Sequence, residues 1–316
     1  MAMSLPSQIS LREVGPRDGL QNERPVPLAA KLELLEALVA AGLRRIEATA
    51  FVSPRAVPAM ADAAEVAAEL HRWPDVRWSA LVASRNGARR ALAAGVTELE
   101  YVVSAADGHS WANVRRDTAT ALGDVAPIAA TVHAAGGFCE VIVATAWDCP
   151  FDGPTSADRV VRVVSEAIGM GADAVCLADT IGTATPARVV SLLEQVRDRH
   201  PDVPLGLHMH NTRGMGIAGV LAALQFGVVD IDASIGGLGG CPFAPGASGN
   251  VATEETAYLC HDSGIETGTD LGGLIEAARL AQRLVGRPLD SGVLRAGDRP
   301  RGPSNSGPGV TKVGRP

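Results

Sequence analysis

Two histidines, His208 and His210, lie two residues apart in the segment LHMH (207–210), which we predict to end a β-strand. Side chains at positions i and i+2 of a strand point to the same side, so both imidazoles face one place. At the mouth of a barrel that place is the pocket. A pair of satisfied polar core residues is the alternative that this spacing leaves open.

A guanidinium and a carboxylate follow the first predicted strand, at Arg17 and Asp18 of REVGPRDGLQNE (12–23). Asp18 can complete a metal site, and Arg17 can stabilise a developing oxyanion. An isolated Arg-Asp-Gly segment is more often a turn with a surface ion pair.

A glycine-rich loop, GGLGGCPFAPGASGN (236–250), follows the last predicted strand and contains Cys241 and Asn250. So many glycines indicate tight turns, close approach of the backbone to a ligand, or mobility. Asn250 is also suited to cap the next helix. That position can bring its amide oxygen near the histidines and Asp18.

Two acids, Glu47 in RIEATAFVSP and Asp179 in CLADTIGTATP, are predicted at strand ends where a buried strand is otherwise apolar. Each alone is ambiguous. Together with the two histidines, the Arg-Asp pair and Asn250, they indicate one active site at the carboxyl ends of several strands.

The elements that must position these residues alternate between β-type and helical periodicity. The predicted strands are 9–14, 43–48, 76–82, 97–103, 138–144, 173–178, 204–210 and 228–234, and the predicted helices are 28–41, 56–71, 85–94, 112–135, 156–169, 186–199, 214–226 and 250–262. Eight strand–helix units predict an α/β fold, the (β/α)₈ TIM barrel. A doubly wound open sheet is the alternative.

One catalytic barrel domain over residues 1–285 is expected, with 270–285 as an additional C-terminal helix. Residues 286–316, rich in glycine and proline, are expected to form a poorly ordered tail. Longer loops follow strands at 15–27, 104–111, 145–155 and 235–249, on the face where barrel enzymes carry out their chemistry.

The composition excludes several classes of protein. The net charge is −7 with no run of basic residues, which argues against a nucleic-acid surface. No apolar stretch reaches the ~18 residues of a membrane span, and the N-terminus does not resemble a signal peptide, so a cytoplasmic protein is expected. The five cysteines do not form a disulfide framework or a zinc motif.

Lysine is nearly absent, since only Lys31 and Lys312 occur. Neither is predicted at a strand end, where a Schiff-base lyase needs a desolvated amine. A metal ion is therefore the expected electron sink if the enzyme makes or breaks carbon–carbon bonds.

The chain resembles the 3-hydroxy-3-methylglutaryl-CoA lyase family, within the larger set of metal-dependent barrel lyases, synthases and carboxylases. The matching segments span nearly the whole barrel: EVGPRDGLQNE (13–23), IEATAFVSP (46–54), LADTIGTATP (177–186), LHMH (207–210) and GLGGCPFAPGASGN (237–250). The Gly-Gly-Cys-Pro loop favours the lyase over the synthases.

This resemblance implies cleavage of a 3-hydroxy-3-methylglutaryl-CoA-like thioester to acetyl-CoA and acetoacetate, in leucine catabolism and ketone-body formation. It implies a Mg²⁺ or Mn²⁺ ion, an acyl-CoA substrate and a homodimer. The implied metal ligands are Asp18, His208, His210 and Asn250. The implied catalytic residues are Arg17 for the thioester oxygen, Cys241 as the acid, His208 and Asp179 for proton transfer, and Glu47 to orient the Arg17–Asp18 loop or to play a plain structural role. Arg24 and Arg55 are candidates for the CoA phosphates.

Three segments depart from the family pattern. Asn211-Thr212-Arg213 stands where the family commonly has Asp-Thr-Tyr, and Asp148-Cys149-Pro150-Phe151 stands where it often has Gly-Cys-Pro-Tyr. The predicted loop around His109 and Trp111 is also unusual and is able to touch the substrate. These departures leave open a different 3-hydroxy-3-alkylglutaryl-CoA, a synthase that condenses acetyl-CoA with a 2-oxo acid, and a barrel that only binds.

Overall fold

Eight parallel strands form a closed barrel in the computed structural model, which describes residues 5–240 and 249–300. The barrel strands are β1 (Ser10–Glu13), β2 (Arg45–Phe51), β3 (Arg77–Val82), β4 (Glu98–Ser104), β5 (Phe138–Ala144), β8 (Ala174–Asp179), β9 (Leu205–Met209) and β10 (Asp230–Ala233). A small antiparallel hairpin, β6 (Asp148–Cys149) and β7 (Gly153–Pro154), follows β5.

The barrel closes because β1 pairs with both β2 and β10. Each remaining barrel strand pairs in parallel with the next barrel strand along the chain. The predicted (β/α)₈ fold is therefore confirmed, and the doubly wound open sheet is excluded. Closure brings the carboxyl ends of all eight strands to one rim, where residues from distant parts of the chain can meet.

Helices surround the barrel and return the chain to the start of each next strand. They are α1 (Leu28–Ala40), α2 (Ala63–Glu69), α3 (Arg85–Ala93), α4 (Asp107–Val114), α5 (Thr118–Gly123), α6 (Val125–Ala134), α7 (Ala157–Gly169), α8 (Pro186–Arg199), α9 (Gly216–Phe226), α10 (Thr253–Asp262), α11 (Leu271–Val285) and α12 (Gly292–Ala296). No helix in the described part of the chain is long and apolar enough to cross a membrane.

Local signals explain where several of these helices begin and end. The side chains of Ser84 and Ser156 accept hydrogen bonds from the third residue beyond them and so cap α3 and α7. Gly227 ends α9 with φ of 103°, in the left-handed region that glycine enters without a steric penalty.

Several predicted boundaries are wrong. The predicted helix 112–135 is divided into α4, α5 and α6, and α4 occupies the segment predicted as the loop of His109 and Trp111. Strand β2 continues to Phe51, so Glu47 is its third residue and does not end it. Helix α5 begins at a cap, because the side chain of Asp117 accepts from the backbone amide of Thr120, and periodicity alone does not reveal this interruption. Strand β2 runs on because apolar and small residues continue past Glu47.

The first part of the expected C-terminal tail is ordered. Helix α12 lies within it and is capped by the hydroxyl of Ser291, which accepts from the backbone amide of Leu294 at 3.1 Å. Leu289 and Leu294 are buried in the main core. Residues 286–300 therefore belong to the barrel domain, whereas residues 301–316 lie outside the described part of the chain.

The inside of the barrel is polar, unlike the apolar layer between strands and helices. Arg12 on β1 contacts Glu100 on β4 and Glu140 on β5. Strand β1 is not a neighbour of either strand, so these side chains must meet across the interior. Val102 and Ile142 lie two residues farther along the same strands and also point inward. The barrel thus has a charged middle layer with a small apolar cluster above it.

Candidate metal centre and active site

Three side chains predicted as metal ligands converge at the carboxyl-terminal rim. One ligand atom from each of Asp18, His208 and His210 lies within 4.8 Å of the others, and all three residues are buried. Asp18 comes from the helical turn Gly15–Gly19 after β1, His208 from β9, and His210 from the position just beyond β9. The two imidazole rings are 5.2 Å apart and nearly perpendicular.

Asn250 joins this group through the backbone as well as the side chain. It forms an antiparallel bridge with His210, and its amide nitrogen donates to Oδ2 of Asp18 at 2.7 Å and to the carbonyl of Leu238 at 2.9 Å. Its Oδ1 is buried and has no hydrogen-bond partner among the described residues. Asn250 does not cap α10, because that helix starts after Ala252 and lacks a side-chain cap.

The donor set suits a hard or borderline divalent ion. Nδ1 of His208 faces Asp232 at 3.1 Å, and Nδ1 of His210 faces the carbonyl oxygen of Asp179 at 2.8 Å. These contacts leave Nε2 of each ring to coordinate an ion. The orphaned Oδ1 of Asn250 supplies an oxygen that otherwise has no partner, and a carboxylate with two imidazoles completes a site of the kind that Mg²⁺ or Mn²⁺ accepts.

Gly239 also belongs to this site, although a glycine has no side chain from which such a role could be predicted. It has φ of 113°, and a Cβ at this position would lie 2.5 Å from Nδ2 of Asn250 and 3.1 Å from Oδ2 of Asp18. Only glycine allows the loop to pass so close to these two groups. Cys241, predicted as the acid of the reaction, lies outside the described residues.

Arg17 connects Asp18 to Glu47. Its Nη1 donates to Oδ1 of Asp18 at 2.7 Å, while its Nε lies 2.6 Å from Oε1 of Glu47, an ion pair without the alignment of a hydrogen bond. Burial raises the pKa of Asp18, but Arg17 and then the two histidines outweigh it, so the pKa falls below its usual value. Asp18 is therefore ionised and ready to bind a cation.

Glu47 and Glu100 form a carboxyl pair beneath Arg17. Burial, and then the nearby Glu100, raise the pKa of Glu47 well above its usual value despite Arg17. The pKa of Glu100 is lowered, because Arg12 and a hydrogen bond from Glu47 outweigh the effect of burial. Burial and the nearby Glu100 thus favour the protonated form of Glu47, and Arg17 opposes it.

Asp179 ends β8, as predicted, and its side chain fixes the loop that follows. Its carboxylate oxygens accept from the backbone amides of Thr183 at 3.0 Å and Ala184 at 2.9 Å. Its backbone carbonyl oxygen faces His210. This geometry establishes a structural role, and proton transfer by Asp179 stays a prediction.

Glu13 anchors the segments that carry the ligands. Its carboxylate accepts from the backbone amides of Gly15 at 2.7 Å and Ile235 at 2.9 Å, and from the hydroxyl of Thr253 at 2.6 Å. It thereby ties the Asp18 turn to both sides of the Asn250 loop. Burial raises the pKa of Glu13 to about 7, against the lowering effect of these hydrogen bonds.

The remaining predicted positions lie around the rim. Arg24 and Arg55 are exposed, as a role at CoA phosphates requires. His109 is buried in α4, with Nδ1 2.7 Å from the hydroxyl of Ser104, and burial lowers its pKa to about 4. Trp111 is exposed.

Two of the segments that depart from the family pattern contribute a residue that holds the loop after β8. Asp148 accepts hydrogen bonds from Thr183 at 2.5 Å and Arg188 at 2.8 Å, while Arg213 donates to the carbonyl oxygens of Ile181 and Gly182. Asp148 and Arg213 thus both hold the loop that follows β8, next to Asp179.

The prediction missed the charged layer inside the barrel, namely Arg12, Glu100, Glu140 and Asp232. A signal was present, because each is a charged residue inside a predicted strand, and Glu100, Glu140 and Asp232 have apolar residues on both sides in the sequence.

The comparisons with known proteins agree with this geometry. The family model described as HMGL-like matches residues 8–281. An (R)-citramalyl-CoA lyase of Chloroflexus aurantiacus is 41% identical over 92% of this chain and 95% of its own length. The crystal structure of the Bacillus subtilis HMG-CoA lyase superposes with a TM-score of 0.89 at 36% identity, covering 93% of this chain and 99% of that one. An HMG-CoA lyase from Acinetobacter baumannii, in complex with coenzyme A and 3-methylmalate, gives a TM-score of 0.88 at 38% identity, covering 96% and 98%.

Proposed function

Since the chain belongs to the HMGL-like family and is a carbon–carbon lyase, we propose that it uses a divalent metal ion to cleave a short 3-hydroxyacyl-CoA that carries a second carboxylate. The observation that carries this proposal is the convergence of Asp18, His208, His210 and the orphaned Oδ1 of Asn250 beside a buried guanidinium. An acyl-CoA lyase needs both groups at one place.

We assign the metal to Asp18, His208, His210 and Asn250, as Mg²⁺ or Mn²⁺. When bound, such an ion orients the substrate and lowers the pKa of a coordinated hydroxyl group. The protein holds the two imidazoles by their Nδ1 atoms and keeps Asp18 ionised through Arg17, so the ligands are oriented in advance.

The reaction that fits is a retro-Claisen cleavage. The tertiary hydroxyl group loses its proton, the bond to the CH₂ group of the thioester breaks, and its electron pair forms the enolate of acetyl-CoA. Arg17 stabilises the enolate oxygen, and Cys241 protonates the enolate carbon. Asp179 accepts the hydroxyl proton with His208 beside it, and Glu47 holds Arg17 in place.

Two thioesters are the first substrates to test. 3-Hydroxy-3-methylglutaryl-CoA gives acetoacetate, and citramalyl-CoA, which is one CH₂ group shorter between the tertiary carbon and the carboxylate, gives pyruvate. Identity to the citramalyl-CoA lyase supports testing both. The apolar cluster of Val102, Ile142 and Ala178 on the inner wall favours a small alkyl group on the tertiary carbon, since it offers no hydrogen bond.

The test is a panel of thioesters incubated with the purified protein and Mn²⁺ or Mg²⁺. We expect mass spectrometry to detect acetyl-CoA with equimolar acetoacetate or pyruvate, and chelation to stop the reaction. If neither substrate nor any 3-hydroxy-3-alkylglutaryl-CoA is cleaved, the proposal fails. Thiol release that requires a 2-oxo acid instead indicates the synthase, and absence of metal after soaking with Mn²⁺ indicates a barrel that only binds.

Assembly and location stay predictions. We propose a cytoplasmic homodimer in which Arg24 and Arg55 bind the CoA phosphates. Light scattering measures the mass of the assembly. Replacement of either arginine by glutamine is expected to raise KM for the thioester with little change in kcat, because the phosphates are remote from the reacting bond.

A further inference from the structure

A buried ion cluster crosses the middle of the barrel. The guanidinium of Arg12 donates to both oxygens of Asp232, from Nε at 2.7 Å and from Nη2 at 2.8 Å. Its Nη1 donates to Glu100 at 2.6 Å and also contacts Glu140. Arg12 is 2% exposed and Asp232 5%, so the cluster is closed to solvent.

Stability does not explain this cluster. The interior of such barrels is usually filled by branched apolar side chains. Removal of charged groups from water costs several kcal/mol per ion, and apolar replacements of similar volume are often as stable. A buried arginine with three carboxylates therefore points to a requirement for orientation.

The cluster ends at a proposed metal ligand. Oδ2 of Asp232 accepts from Arg12 and also lies 3.1 Å from Nδ1 of His208. Because a carboxylate only accepts hydrogen bonds, Nδ1 of His208 must carry a proton, and in the neutral ring the lone pair is then on Nε2. The two-pronged contact with Arg12 prevents Asp232 from rotating away.

We propose that Arg12 and Asp232 are positioning residues, which fix the tautomer and ring orientation of His208 from inside the barrel. This inference rests on the proposed function, because His208 needs to be positioned only if it binds the metal ion. His210 lacks such a carboxylate, because its Nδ1 faces a backbone carbonyl oxygen that the fold already holds. Side-chain positioning is thus needed only for His208.

The first test replaces Asp232 by asparagine, which keeps the shape of the side chain. An amide offers one acceptor where two were used, and an NH₂ group turned toward His208 would require Nδ1 to accept. We expect His208 to change to the Nε2–H tautomer, seen as exchanged ¹⁵N chemical shifts of its two nitrogens in the metal-free protein. Affinity for Mn²⁺ is expected to fall about 10–100-fold.

Asp230→Asn is the matched control. Asp230 lies two residues earlier on β10 and pairs with Arg45 at 2.6 Å, but it has no contact with His208 among the described residues. This variant should retain the tautomer and the affinity for Mn²⁺. Equal changes in both variants would mean that any lost charge on β10 disturbs the barrel, and the inference would be wrong.

Arg12→Lys tests the other partner. Lysine keeps the charge but lacks the planar two-pronged contact, so we expect several-fold weaker Mn²⁺ binding with the Nδ1–H tautomer retained. Wild-type affinity in Arg12→Lys, or an unchanged tautomer in Asp232→Asn, overturns the inference. The tautomer is read without substrate or metal, so this result remains distinct from a failure of the lyase proposal.

Discussion

Replacement of Arg17 by methionine tests the proposed stabilisation of the enolate oxygen by this side chain. Arg17 is 5% exposed and lies between two carboxylates, 2.7 Å from Asp18 and 2.6 Å from Glu47. Methionine fills much of the space of the arginine stem but removes the charge. The variant therefore lacks the group proposed to stabilise the enolate oxygen.

Two effects are expected, one on the rate of the reaction and one on the stability of the fold. Loss of one oxyanion donor costs about 3 kcal/mol in the transition state, which is ~100-fold or more in kcat. Loss of one partner of a buried ion pair costs about 3–5 kcal/mol of folding free energy. The first effect acts on kcat, and the second lowers Tm without changing kcat of the molecules that remain folded.

The assay measures acetyl-CoA release at saturating thioester and Mn²⁺, at a temperature where circular dichroism shows the variant to be folded. Arg17→Lys serves as the control, because it retains the charge and is expected to lose less of kcat. A folded Arg17→Met protein with kcat within about threefold of wild type would refute the assigned role of Arg17.

Three further predictions test other parts of the site. Asn250→Ala removes the orphaned Oδ1, and calorimetry should show Mn²⁺ affinity reduced about tenfold or more, whereas unchanged affinity would remove Asn250 from the ligand set. Glu13 has a pKa raised to about 7, so the folded state binds its proton more tightly than the unfolded chain does; its contribution is complete below the ordinary value of 4.5 and is lost as the pH rises to about 7. Tm measured from pH 4.5 to 8 should therefore fall more in wild type than in Glu13→Gln, and parallel curves would contradict the raised pKa. Val102→Ala makes more room beside the apolar inner wall, so the ratio of kcat/KM for a substrate with an ethyl group to that for one with a methyl group on the tertiary carbon should rise. An unchanged ratio would mean that the alkyl group binds elsewhere.

Local patterns were enough for the architecture and for placing three of the proposed metal ligands at one rim. The barrel follows from eight strand–helix units, and the positions of Asp18, His208 and His210 follow from where their strands end. Both conclusions need only the periodicity of the chain and the rule that parallel strands share one rim. Boundaries failed within 112–135, where Asp117 begins a new helix, and beyond residue 285, where Ser291 caps α12.

The chemistry within the barrel could not be obtained in this way. Arg12 and Asp232 are 220 residues apart, and Arg12 and Glu140 are 128 apart, yet they meet because closure turns one face of every strand inward. The pKa values of Glu47 and Glu100 move in opposite directions because the same closure brings these two acids together. Burial and neighbouring charges set the protonation state, and neither exists before the strands have closed.

The sequence by itself determined which elements form and which side chains reach the rim, because strand periodicity and helix caps act over a few residues. Only the tertiary structure decided that Asp232 lies against His208, that Oδ1 of Asn250 has no partner in the described part of the chain, and that Gly239 must lack a side chain. These are distances between segments that are far apart in the chain, and they are fixed by closure of the barrel.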